Sequence, residues 1–215
     1  MNKGNLKIKN INDSLSSIEK QFIKRFNCVV GVDEVGRGAL FGPIVACSVL
    51  LDDNFMSLDL SKVIDSKKLS EKKRNNVMED IIDKNCKFGL GFVNNHDIDL
   101  INIKNATLLA MKNSIENIGL NIDAALIDGK DKILNVDFYQ QTVVRGDDKC
   151  KVIALSSIIA KFIRDFIIRK YDKVFPHYKL INNVGYGTEE HIKNIEKFGK
   201  SIFHRKSFKI NKIDT

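Results

Sequence analysis

The sequence predicts an α/β domain, a mixed β-sheet flanked by helices. Three observations lead there. Short apolar, strand-like runs alternate with longer runs of helical period. Acids recur where the strand-like runs stop. The 215 residues, 43% hydrophobic and 29% charged, suit one sizeable core that needs no staples.

Residues 1–27 are polar and lysine-rich, hold at most one short helix around Leu15 to Phe26, and are expected to form a basic N-terminal extension. From Cys28 the pattern changes. Cys28-Val-Val-Gly-Val-Asp33 is a nearly continuous apolar run, as in a strand buried on both faces. A glycine-rich turn leads to a second strand, Pro43 to Leu51, and the short link makes an antiparallel hairpin the natural pairing. Ser70 can cap a helix to about Asn85, with Val77, Ile81 and Ile82 on its inner face. Lys87 to Val93 supplies a third strand. Lys104 to Ile118 is a helix with Leu108, Met111, Ile115 and Ile118 on one face, stopped by Gly119. Ala124 to Asp128 is a short strand before a turn at Gly129, and residues 141–144 form another before Arg145-Gly146. The run from Val152 to Tyr171 is apolar on most faces and is expected to pack centrally. One more helix starts after Thr188, and residues 209–215 are a tail. No repeat, low-complexity tract or linker divides residues 28–208.

The basic N-terminus is followed by no apolar run, so no signal peptide is expected. Lys161, Arg164 and Asp165 interrupt the longest apolar stretch, against a membrane span. Cys28, Cys47, Cys86 and Cys150 lie far apart without a C-x-x-C pair, which leaves no zinc spacing and no disulfide framework. A reducing, cytoplasmic location is expected. The net charge of +8 is concentrated at the ends. Residues 1–30 carry six Lys/Arg against two acids and residues 193–215 carry seven against two. Basic margins suit a polyanion such as nucleic acid, and a lysine-rich solvated surface accounts for them equally well.

The acids carry the chemistry. Asp33-Glu34 ends the first strand, Asp128 ends the AALID strand, Asp147-Asp148 follow the next one, and Asp165 lies in the central helix. Strand ends are where α/β sheets place their sites. Converging carboxylates repel one another unless a divalent cation neutralises them, and oxygen-only ligation favours Mg²⁺ or Mn²⁺ over Zn²⁺. Two such ions about 3.5–4 Å apart assist phosphodiester hydrolysis. Each acid also has a purely structural reading. Asp33 and Glu34 can cap a turn, Asp128 precedes a glycine, and Asp165 has Lys161 as an i,i+4 partner. Adjacent strand residues point to opposite faces, so Asp33 and Glu34 serve one site only near a bend.

GVDEVGRGALFGPIVACSVLL, residues 31–51, closely resembles the first signature of bacterial ribonuclease HII. Asp65-Ser-Lys-Lys-Leu-Ser70, Ile127-Asp128-Gly129, Arg145-Gly146-Asp147 and the helix from Ser156 to Asp165 resemble that family's further motifs, in order. So do Gly185-Tyr-Gly-Thr188 with His191, and His204-Arg-Lys-Ser-Phe208; the similarity runs from about residue 28 to 208. The resemblance implies an RNase H-like catalytic domain over 28–208, with a helical C-terminal part. It implies hydrolysis assisted by two metal ions held by Asp33, Glu34, Asp128 and Asp147, with Asp148 as a neighbour able to substitute for Asp147. It gives Asp165 a supporting role. Gly36, Arg37 and Gly38 match the loop that contacts the nucleotide bearing the 2′-OH, and Tyr186 matches the tyrosine that packs on the sugar. Lys67 and Lys68 are expected to face phosphates, with a solvated helix entry as the other reading; His191 belongs to the matched motif but can also be read as a helix-surface residue; Arg205, Lys206 and Lys209 are expected to grip the duplex backbone. The glycines at 36, 38 and 42 miss the dinucleotide-binding spacing by one, and Pro43 opens a strand where that motif needs a helix.

The activity so implied is cleavage of the RNA strand of RNA/DNA hybrids, and cutting 5′ of ribonucleotides embedded in duplex DNA, leaving 3′-hydroxyl and 5′-phosphate ends. The protein is expected to act as a monomer in DNA replication and repair. The alternatives are specificity for ribonucleotide runs like that of ribonuclease HIII, a non-catalytic duplex-binding module, and a structural protein whose acids are caps.

Overall fold

The computed structural model describes residues 8, 11–63 and 69–210. At its centre is a five-stranded sheet of β1 (Val29–Val35), β2 (Ile44–Leu50), β3 (Phe88–Val93), β4 (Ala124–Asp128) and β5 (Tyr139–Val143), in the order β3-β2-β1-β4-β5. β2 pairs antiparallel with β1 and β3, while β1, β4 and β5 run parallel. The expected hairpin and mixed sheet are both present. Around the sheet stand α1 (Ser17–Arg25), α2 (Asp53–Met56), α3 (Glu71–Asp83), α4 (Asn95–Glu116), α5 (Gly146–Lys149), α6 (Lys151–Asp172), α7 (Leu180–Asn183) and α8 (Glu189–Phe198), with a 3₁₀ turn at Pro176–Tyr178.

Strand alternation sorts the side chains into two cores. Val29, Cys47, Val49 and Leu126 face α6, with α1 and α3 packed at its side. Val30, Val32, Ala46 and Ile127 face α4. A third, aromatic cluster ties Phe41, from the β1–β2 loop, to Ile168, Tyr178, Leu180 and Ile195 of the helical C-terminal part. All four cysteines are buried and free. Among the described residues no helix is long and apolar enough to cross a membrane.

Several elements differ from expectation. α4 begins at Asn95 because Asn94 caps it through Asp97 N–H, and Asn102, at φ 65°, breaks it. The Asn102 side chain then accepts from Asn105 N–H and starts the helix read from the apolar pattern. Ile82, expected on the inner face of α3, is exposed, while Val77, Met78 and Ile81 are buried.

The second half of the N-terminal extension belongs to the packed body. Leu15 and Phe22 are buried in the α6-side core. Glu19 is fully buried and serves two helix starts. One carboxylate oxygen closes the capping box with the Ser16 N–H at 2.8 Å, and the other accepts Val152 N–H of α6 at 2.9 Å. α6 has no side-chain cap at its own Cys150, so α1 supplies one from 133 residues away.

Candidate active site

Val32 of β1 lies opposite Ile127 of β4 in parallel register, so the next residues, Asp33 and Asp128, stand side by side where that pairing stops. Carboxylate oxygens of Asp33, Glu34 and Asp128 all lie within 4.8 Å of one another. Asp33 and Glu34 do diverge. Asp33 turns toward Ser157 of α6, and Glu34 lines a hollow with Thr107 and Met111 of α4. Both still reach Asp128, because the pairing of β1 with β4 stops at Val32 and Gly36, at φ 101°, turns the chain away just after Val35. The position of the pair on the last turn of the sheet resolves the opposite-face objection.

The electrostatics are those of a site lacking its counter-charge. Burial, aided by Glu34 and Asp128, pushes the Asp33 carboxyl well above the ordinary carboxylate range, against hydrogen bonds from Ser157 and from Glu34 N–H, the latter at 2.7 Å. Burial also raises Glu34 to about 7; Arg37, at 3.7 Å, pulls it down and Asp128 pushes it up. Asp128 Oδ1 accepts the Gly146 N–H at 2.6 Å, which fastens α5 to the cluster. Three oxygen donors, partly buried and mutually repelling, fit a hard divalent cation and offer nothing to a thiophilic one.

These shifts set a pH dependence. A carboxyl whose folded pKa is raised keeps its proton in the folded state while the unfolded chain has lost it. Stability then falls as pH rises between the two values, from 4.5 to about 7 for Glu34. In chelator, Tm is expected to drop by roughly 2–4 °C per pH unit in that window, since one titrating group contributes about 1 kcal/mol per unit. Glu34→Gln flattens the profile, and Mn²⁺ at pH 7 raises Tm. Calorimetry between pH 4.5 and 7.5 checks this; a metal-free Tm that rises across the window would contradict it.

Asp147 is not among the carboxylates within that 4.8 Å group. It follows Gly146 on α5 and accepts the Asp148 N–H at 3.1 Å, while Asp148 is held by Arg145 at 2.7 Å. The Gly146 N–H bond to Asp128 ties the residue before Asp147 to the cluster, and Asp148 is ion-paired with Arg145. Asp165 stands apart from the group. It accepts Lys161 Nζ at 2.8 and 3.0 Å and faces Arg74 of α3 at 3.8 Å, which joins α6 to α3.

Beside the acids lies the Gly36-Arg37-Gly38 loop, with Arg37 and Gly38 exposed. Tyr186 is half-buried next to it, because Ala39 and Tyr186 form a β-bridge and Leu40 N–H donates to Gly185 O at 2.8 Å. Lys67 and Lys68, with the rest of residues 64–68, lie outside the described residues.

Two arginines, neither expected in this role, hold this loop. Arg164 is fully buried and donates to Pro43 O (3.0 Å), Val184 O (2.8 Å) and Phe41 O (3.0 Å). Its guanidinium also lies 5.3 Å from the Tyr186 ring centre. Arg205, expected to grip a duplex, is instead 1% exposed and donates to Gly42 O and Arg37 O. His191, expected on a helix surface, is fully buried against His204. A guanidinium inside an apolar helix was the available signal for Arg164, since such a charge must find acceptors.

The family model for ribonuclease HII matches residues 30–211. A ribonuclease HII of Lactobacillus gasseri is 43% identical over 192 residues, 89% of this chain and 75% of that protein. Among solved structures, the PCNA:RNase HII complex from Archaeoglobus fulgidus holds a chain similar in fold, with a TM-score of 0.69 at 21% identity, over 86% of this chain and 96% of that one. Bst-RNase HIII in complex with Mn²⁺ is similar with a TM-score of 0.62 at 16% identity, over 80% of this chain and 63% of that one.

Proposed function

Because the chain belongs to the ribonuclease HII family, whose members are metal-dependent nucleases, we propose that it hydrolyses RNA strands in RNA/DNA hybrids and cuts 5′ of single ribonucleotides in duplex DNA. The observation that carries this reading is the convergence of Asp33, Glu34 and Asp128 beside the Gly36–Gly38 loop, with Arg37 and Gly38 exposed, and Tyr186. Residues 28–208 are the catalytic domain.

Asp33, Glu34 and Asp128 would hold divalent metal, Mg²⁺ or Mn²⁺, with Asp147 as a fourth ligand for two ions in the active complex. The bound metal supplies positive charge to the phosphate undergoing attack and to the leaving oxygen. The chain's own groups do the selecting. Main-chain groups of Gly36 and Gly38 approach the sugar and read its 2′-OH, both donor and acceptor. Arg37 forks onto a phosphate, and Tyr186 packs on the adjacent sugar. Asp165 supports the site indirectly by joining α6, which carries Ser157 under Asp33, to α3. Water adds to phosphorus as the P–O3′ bond breaks on the 5′ side of the ribonucleotide; the water oxygen enters the 5′-phosphate and a water proton goes to the departing 3′-oxygen, leaving a 3′-hydroxyl and a 5′-phosphate. The protein acts as a cytoplasmic monomer in DNA replication and repair.

The test is a labelled DNA duplex with one ribonucleotide, incubated with Mg²⁺, Mn²⁺ or chelator. Metal-dependent cutting at the 5′ side is expected. Cutting of long hybrids alone would assign ribonuclease HIII-like specificity, and no cutting of either by folded protein would leave a duplex-binding module.

A further inference from the structure

Behind Tyr186 the two histidines form a closed relay. Ser201 N–H donates to His204 Nδ1 at 2.9 Å, with the Ser201 hydroxyl also at 2.9 Å. His204 Nε2 lies 3.2 Å from His191 Nε2, and His191 Nδ1 lies 2.9 Å from the Tyr186 carbonyl oxygen. One arrangement of protons satisfies all of these contacts in neutral rings. A main-chain N–H only donates, so His204 Nδ1 is a bare acceptor and the ring's proton is on Nε2. His204 Nε2–H donates to His191 Nε2, which must then be bare. The proton of His191 therefore stands on Nδ1 and is donated to the Tyr186 carbonyl.

The surroundings keep both rings neutral. His204 is enclosed by Phe41, at 5.0 Å between ring centres, and Tyr178, at 4.7 Å. Burial drives His204 down to about 3, with His191, Lys200 and His177 acting in the same direction. Burial lowers His191 as well, against its bond to Tyr186. Burial thus favours the neutral form of both rings.

We propose that His191 and His204 are positioning residues for Tyr186, a relay of fixed proton direction that sets the Tyr186 peptide plane and hence its ring against the Gly36–Gly38 loop. Glycines on either side of Tyr186 give the segment little stiffness of its own, so its orientation is imposed from outside. His204 is itself registered to that loop through its bridge with Phe41, so the relay measures Tyr186 against the same element that carries Arg37. The proposal rests on the substrate role given to Tyr186 above.

Two measurements on the full chain test it. Long-range ¹H–¹⁵N spectra of the rings are expected to show the Nε2–H tautomer for His204 and the Nδ1–H tautomer for His191. Reversed tautomers, or a protonated ring at pH 6, overturn the relay. His191→Phe keeps the bulk and removes the donor, whereas His191→Asn returns a donor near the Nδ1 position. For a duplex with one ribonucleotide, His191→Phe is expected to lower kcat at least tenfold with KM within about threefold, and His191→Asn to recover most of that loss. The Tyr186 and Gly187 amide resonances should move in the first variant and return in the second. Equal activities and amide shifts in two variants of equal Tm mean that His191 acts only through stability, and the proposal fails. If the wild-type chain cuts no ribonucleotide substrate, the functional reading fails, while the ring and amide spectra still decide the relay.

Discussion

Asp128→Asn and Asp33→Asn are each expected to lower kcat/KM by at least about 1000-fold, equivalent to ~4 kcal/mol of transition-state stabilisation, while leaving the fold and most duplex affinity in place. The side chains change by one atom, so packing is preserved. What is removed is one negative charge of the three that make the cluster a cation site. Duplex affinity comes mainly from phosphate contacts spread over a basic surface, which neither substitution touches. The same changes relieve repulsion in metal-free protein, so Asp33→Asn is expected to raise Tm in chelator while losing the increment that Mn²⁺ gives the wild type. Opposite signs in the two conditions identify a metal site; a lower Tm in both identifies a structural acid. Cleavage near the wild-type rate in either variant removes the assignment.

Arg164→Met is expected to destabilise the protein by about 3 kcal/mol or more, since it strands buried carbonyls whose lost partners cost ~1–3 kcal/mol each. For a chain of this length that is roughly 6–12 °C in Tm. Three acceptors lose their donor at once, those of Phe41, Pro43 and Val184, from the β1–β2 loop and the C-terminal part. Lysine does not rescue the change, because a single ammonium cannot reproduce the planar fork. Urea unfolding of the methionine and lysine variants checks the expectation. A loss under about 1 kcal/mol in both would mean the carbonyls find other donors.

The sequence makes the sheet legible because its strands are almost wholly apolar and end in acids. Asp33, Glu34 and Asp128 were accessible for that reason: each follows an apolar run near the end of its strand, and parallel register alone brings Asp33 and Asp128 together. Asp147 is less well marked, since the strand before it has ended and α5 spans only Gly146–Lys149. The misreadings share one cause. Arg205 and His191 were placed at the surface by residue type, yet their partners are main-chain carbonyls and a second histidine, supplied by loops remote in sequence. A carbonyl is present at every position and leaves no trace in composition. Ile82 shows the converse: helical period sets it about 100° from Ile81 and about 140° from Val77, off the face that those two bury.

Glu19 is made 133 residues before Val152. At about 5–20 residues per second, the nascent chain spends on the order of ten seconds with that carboxylate able to serve only its own helix. Its second bond forms when nearly three quarters of the chain has emerged, closing a loop of high sequence separation late in assembly. The first helix made is thus among the last to dock, and its docking reports that the central helix beneath the acids is already in place.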